Sequence, residues 1–226
     1  MQAIWVCMTV LAFSVVLGTS PVSAEGLQDE VKQAATIIER FQAMPEKAIP
    51  KAVLKDARGL AILTVIKAGF VFSGRGGTGV VVARTKNGWS GPSAIGTGGA
   101  GFGLQIGAEV TEFVIILNTD AAVKAFSQGG NVELGAGLSV AAGPIGRSAE
   151  TGLLPVAAVY TYSQSQGLFA GIALEGTVIG VRNDANAEYY GRAVTPEDIM
   201  SGKVRPPTGA DRLRKMLARY SVLARN

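Results

Sequence analysis

The sequence predicts an α+β domain with a largely antiparallel, glycine-rich β core and helices at both ends. Three observations carry this. Residues 27–44 place apolar side chains at helical spacing. From Gly59 to about Gly180, runs rich in Val, Ile, Thr, Tyr and Phe alternate with turn-forming residues. After Pro206-Pro207 a second apolar stripe of helical period closes the chain. With 226 residues there is room for one domain and not comfortably for two. Whether the sheet closes into a barrel is left open by the sequence.

Residues 1–24 have the pattern of a cleavable signal peptide. Ile4 to Gly18 is almost wholly apolar and uncharged, and is short for a bilayer span, which needs about 20 residues. Thr19-Ser20-Pro21 breaks the run, and Val22-Ser23-Ala24 sets small residues before a cut after Ala24. The expectation is an exported chain, periplasmic or extracellular, whose domain spans 25–226. One feature departs from the pattern: Met1-Gln2-Ala3 carries no Lys or Arg.

In the first helix Leu27, Val31, Ala34, Ala35, Ile38 and Phe41 share a face. Asp29, Glu30, Lys32, Gln33, Glu39 and Arg40 lie on the others. Pro45 and Pro50 end it. The favoured reading is a helix packed on the domain; the sharper one is an interfacial membrane helix, whose polar face is ordinarily rich in Lys and Arg rather than acidic. Strands are expected at Leu60–Ile66, Gly79–Arg84, Phe113–Leu117, Asn131–Val140, Val156–Ser163 and Leu168–Ile179, with turns at Asn87-Gly88, Gly91-Pro92, Gly129-Gly130 and Gly143-Pro144. Ala121–Phe126 suits a short helix. Thr195-Pro196-Glu197-Asp198 is a strong helix start, with a cap, a Pro and first-turn acids. Leu213, Met216, Leu217, Tyr220 and Leu223 form the stripe of the last helix.

Composition removes whole classes of chemistry. There is no histidine, and the single cysteine is Cys7, inside the leader. A mature chain therefore has no His base, no Cys nucleophile, no disulfide and no zinc site of Cys or His. Hydrophobic residues at 48% and charged residues at 17% support a packed core. The net charge of +4 conceals segregation. Residues 45–86 carry eight basic and two acidic side chains, and 201–226 seven and one, so each block is +6. Residues 25–44 are −2 and 87–200 are −6. The first block is Lys47, Lys51, Lys55, Arg58, Lys67, Arg75, Arg84 and Lys86. The second is Lys203, Arg205, Arg212, Arg214, Lys215, Arg219 and Arg225. On one face they would attract anionic lipid by about 1 kcal/mol per group near the surface; apart, they are solvated surface.

Two matches to G-x-G-x-x-G, at Gly74–Gly79 and Gly96–Gly101, lack the following helix that a dinucleotide site needs. The first runs into Val80-Val81-Val82. They fit close backbone approach or bends in a curved sheet. Glu109, Glu112, Glu133, Glu150 and Glu175 lie in or near apolar strands, but nothing pairs two of them for acid–base work, and an Arg partner is the commoner arrangement. Ser139 misses the nucleophile-elbow pattern by one residue. Nucleic acid is not expected, because the basic blocks lack interleaved aromatics.

Four runs together resemble the SYLF domain, also called the Ysc-type actin-binding domain. They are Leu54–Ile62 continuing through Val65–Phe70, Arg75–Val80 and Ala83-Arg84; Trp89–Gly96 with Gln105–Glu109; Val114–Asn118 with Ala141–Arg147; and Tyr160–Ser163, Gly167–Gly171 and Leu174–Gly176. The similarity spans about residues 27–210. It implies non-catalytic lipid binding, with phosphoinositide preference in eukaryotic members, some of which also bind actin beside SH3 or FYVE domains. The implied contact is the 27–44 helix with Lys47, Lys51, Lys55 and Arg58, and the rest of the first block adds Lys67 and Arg75. An exported chain meets neither cytosolic actin nor cytosolic phosphoinositide, so the expected partner is an anionic phospholipid surface, without cofactor or metal. The alternatives are a protein-interaction module, actin-binding if the chain is cytosolic, and a self-associating envelope protein.

Overall fold

The computed structural model describes residues 26–44, 48–135, 138–143, 157–167 and 177–222. The predicted leader, Lys47, Glu150, Glu175, Leu223 and the first part of the strand expected at 168–179 lie outside these residues.

Helix α1 (Leu27–Ala43) is followed by a short α2 (Lys51–Asp56). Strand β1 (Gly59–Thr85), the small β2 (Gly88–Trp89) and β3 (Ser93–Leu117) come next. Then follow α3 (Asp120–Ser127), β4 (Val132–Glu133), β5 (Val140–Ala142), β6 (Val159–Gly167) and β7 (Val178–Val181). Helices α4 (Asn183–Tyr190) and α5 (Pro196–Met200), a 3₁₀ turn (Thr208–Ala210) and α6 (Asp211–Val222) complete the chain. The fold is α+β, and its mostly antiparallel sheet curls into a half-barrel.

β1 and β3 pair antiparallel along almost their whole length, from Gly59↔Leu117 to Val81↔Ser93, with one irregularity at Phe70/Phe72. The sequence divides this segment into two strands around the glycines; the structure makes it one. Both glycine runs are paired in register, as in Gly76↔Gly98, so ladder hydrogen bonds hold extended backbone that side-chain propensity alone does not specify. β6 adds to the later half of β3, β7 to its start, β5 runs parallel to β6, and β4 pairs with β7. The ribbon also returns on itself. The Arg84 amide donates to Arg58 O at 2.7 Å, and Gly77 and Gly79 lie directly against the backbone of Thr64–Val65 and Ile62–Leu63. The expected strand Asn131–Val140 is likewise different. Among its described residues only the ends are strand, and Gly135 has φ +100°.

Alternation along the strands feeds two cores. Leu60, Ile62, Val80, Val82, Val114 and Ile116 pack against α1, α2 and α6. Ala61, Leu63, Val65, Val81, Phe113 and Ile115 pack with Ala122 and Phe126 of α3 and Met200 of α5. The apolar face of α1 is part of the first core: Val31, Ala34, Ala35, Ile38 and Phe41 are all buried. This agrees with the packed-helix reading and overturns the picture of α1 dipping its apolar side chains into a lipid interface. α4 has no counterpart in the sequence reading. Its apolar periodicity is weak, and it is fixed instead by Asn186, whose Oδ1 accepts from the Ala94 amide at 2.7 Å.

Candidate functional site

α2 buries Val53 and Leu54 and leaves Lys51 and Lys55 exposed. Arg58, just before β1, is also exposed and stands 3.8 Å from Asp120. Among the described residues neither lysine has a salt-bridge partner, so this end of the domain presents cationic side chains to solvent. Lys67 and Arg75 are elsewhere on β1. Lys67 is paired in register with Glu109, and Arg75 lies across Gly99. Lys67 is nine residues beyond Arg58, about 30 Å of strand. The six predicted residues therefore do not form one patch: three gather beside α2, two lie along the ribbon, and Lys47 is outside the described residues.

A second cationic group adjoins α2 and brings parts of both basic blocks together. Arg84, at the end of β1, donates through Nη2 to Leu54 O and Lys55 O, each at 3.2 Å, and so caps the last carbonyls of α2. Its guanidinium carbon sits 4.3 Å from the centre of the Trp89 ring, a cation–π contact. Arg214 of α6 donates through Nε to Trp89 O at 2.9 Å. These side chains, with Lys86, Arg205 and the 200–206 loop, line a cavity of about 550 Å³. No Asp or Glu is among its described lining residues. Trp89 is buried, and its Nε1–H has no acceptor among the described residues. Composition alone flagged these cations as block members. Their meeting depends on α6 packing over β2, which no local pattern encodes.

Among the described residues the candidate glutamates form no catalytic pair. Glu109 and Glu112 are an odd number of residues apart on β3 and so belong to opposite faces. Glu112 accepts from Arg40 of α1 at 2.6 Å, the arginine partnership expected from the sequence. Glu109 is buried and accepts from Thr111 Oγ1 at 3.1 Å. Glu133 is exposed. Ser139 Oγ accepts from the Ala158 amide, a structural bond. Both G-x-G-x-x-G runs lie inside strands, with no helix after them. Among the described residues no group of three or more acidic, His or Cys side chains converges as metal ligands. A larger cavity of about 730 Å³ lies by α5. There the Thr195 hydroxyl, accepting from the Asp198 amide, is the helix cap. Hydrogen bonds from Thr195 and Lys203 hold the Asp198 carboxyl below the usual range.

Lys51, Lys55 and Arg58 thus make one end of the described domain cationic. The family model of the "Las17-binding protein actin regulator", Ysc84, matches residues 98–220. The chain belongs to the Ysc84 family. Baker's yeast LAS seventeen-binding protein 3 is 50% identical over 201 residues, covering 84% of this chain and 44% of the relative. Yeast protein YSC84 is 49% identical over the same length, 43% of its own chain. Human SH3 domain-containing YSC84-like protein 1 is 47% identical over 203 residues, covering 86% of this chain and 59% of its own. The Ysc84-family chain thus spans about half the length of the curated relatives it matches. Pairwise similarity reaches beyond the family model's start at residue 98, and the resemblance to the SYLF domain stands.

Proposed function

We propose that this domain is a non-catalytic binding module of the actin-regulatory kind named in its relatives. In this reading it engages an acidic protein surface through Lys51, Lys55 and Arg58 beside α2. The carrying observation is that α2 buries only its apolar side and presents both lysines without salt bridges among the described residues. Exposed rim charges of this kind steer association and make it salt-sensitive. The full chain is expected to pellet with filamentous actin at low ionic strength and to lose at least tenfold in affinity in K51E/K55E. Absence of pelleting at low salt, or equal pelleting by the variant, refutes this reading.

A second reading uses the same side chains on an anionic phospholipid surface. Each basic group near the membrane contributes about 1 kcal/mol there, and salt weakens it. The burial of α1 leaves this contact to the charges of α2 and Arg58. Export favours this reading over actin. We propose cleavage after Ala24, which mass spectrometry of the mature N-terminus tests; an intact residue 1–24 segment on a cytosolic chain returns the balance to actin.

A further inference from the structure

We infer that Asn87, in the turn between β1 and β2, is a self-modifying site: the Gly88 nitrogen attacks its side chain, ammonia leaves, and a neutral amide becomes a carboxylate. The inference does not rest on the partner proposed above, because the step needs only this chain and water.

Such a reaction needs a following residue whose nitrogen no side chain shields, an asparagine amide that nothing holds, and access for water. Asn87 is followed by glycine, whereas the other asparagines precede Thr119, Val132, Asp184 and Ala187 or end the chain. Lys86, Asn87 and Gly88 are all exposed, and a Cβ on Gly88 would meet nothing within 4 Å. Gly88 has φ +104°, a conformation that favours glycine, so the turn itself keeps the unshielded residue in place. The Asn87 backbone N–H donates to Thr85 Oγ1 at 3.3 Å, but its side chain makes no hydrogen bond among the described residues. Asn118 and Asn186 are held. Asn118 Nδ2 donates to Ala157 O at 3.1 Å; the buried Asn186 accepts from the Ala94 amide and donates to Ser93 Oγ at 3.1 Å. Thr85 and Gly88 are the last pair of the β1–β2 ladder, where opening costs least, so the Gly88 nitrogen is freed without unfolding the domain.

In the reaction, hydroxide takes the proton of the Gly88 N–H. The nitrogen electron pair forms a bond to Asn87 Cγ, the Cγ–Nδ2 bond breaks, and Nδ2 takes a proton from water and departs as ammonia. The five-membered imide then takes up one water. Opening at one carbonyl gives aspartate; opening at the other gives isoaspartate, whose main chain runs through the side-chain carbon. Lys86 is beside these groups and favours their anionic forms. Either product lowers the net charge from +4 to +3. Asn87 lines the 550 Å³ cavity, so the new carboxylate joins a described lining that has none. Isoaspartate also lengthens the main chain inside a two-residue turn, which has no slack to take it up.

We would age the full chain in mildly alkaline buffer, below the pH at which its tyrosines ionise, and in mildly acidic buffer, and map the products by peptide mass spectrometry. The expected result is exchange of NH2 for OH at Asn87 at least about tenfold faster than at Asn118 or Asn131, with both aspartate and isoaspartate formed and a rate that rises with hydroxide. Asn87→Gln should abolish the exchange at this position, because the ring would need a sixth member, and leave the other asparagines as they were. Exchange at Asn87 only after unfolding in urea, or equal rates at Asn87 and Asn118 in the folded chain, overturns the proposal. Asn87→Ser supplies the same comparison should glutamine disturb the turn.

Discussion

Arg182 joins three parts of the molecule. Its guanidinium meets the buried Glu30 carboxylate of α1 at 2.5 Å, its amide donates to Ala94 O, and its aliphatic stem lies over Gly96. Arg182→Ala leaves a 3% exposed carboxylate without this partner, so the expected loss is about 3 kcal/mol or more, measured by denaturant unfolding. Replacing both residues with Met should recover part of it, because the desolvation cost of the pair disappears as well. Neither role was legible in the sequence. Helical spacing puts Glu30 outside the apolar stripe, and its burial comes from a residue 152 positions away. Trp89 is similar. Of the two arginines that hold it, Arg84 is its cross-strand neighbour, whereas Arg214 reaches its carbonyl from α6, 125 residues on.

At the level of elements, the sequence was most informative where one face alone decides the structure. The stripe from Leu27 to Phe41 gives α1 within a residue of its observed end, and Thr195-Pro196 places the start of α5. It was least informative for the ribbon, where glycine pairing replaces side-chain preference. The glycines are not equivalent there. A Cβ on Gly79 would collide with the Ile62 carbonyl and come within 2.8 Å of Leu63 Cα, whereas one on Gly76 meets nothing within 4 Å. Gly79→Ala should therefore cost about 3 kcal/mol or more, lowering the thermal midpoint by roughly 6–12 °C, while Gly76→Ala leaves it nearly unchanged. Equal shifts in a calorimeter would show that the arms of β1 are not in contact. The return of the ribbon also explains the dispersal of the predicted site: its arms bring Arg84, and not Arg75, back to Arg58.

For the molecule as a whole, the tyrosines link stability to alkaline pH. Burial, and then Asp211, push Tyr189 up to about 12. Tyr162 and Tyr190 are raised further, chiefly by burial and then by a neighbouring tyrosine. A tyrosine is neutral until it ionises, so a folded pKa above the unfolded value of about 10 stabilises the fold fully below about pH 10. That contribution is lost as pH rises through the folded values. Denaturant midpoints should be steady up to about pH 10 and fall above it, and Tyr189→Phe should make the fall shallower; an unchanged midpoint near pH 12 contradicts this. The two basic blocks were legible as composition, yet their meeting at Trp89 is a property of the assembled fold.

The pairing of β1 with β3 also fixes a reading frame. Even-numbered residues in both arms of β1 supply one core and odd-numbered residues the other. At the irregularity, Phe70 is paired with Ile106 and Phe72 with Phe102, so β3 uses three intervening residues where β1 uses one. The excess is two, and an even excess preserves the assignment of every later side chain. A single inserted residue would exchange the two cores from that point onward, placing α1's partners against α3. Length within the ribbon can therefore change only in steps of two, however freely its individual letters vary.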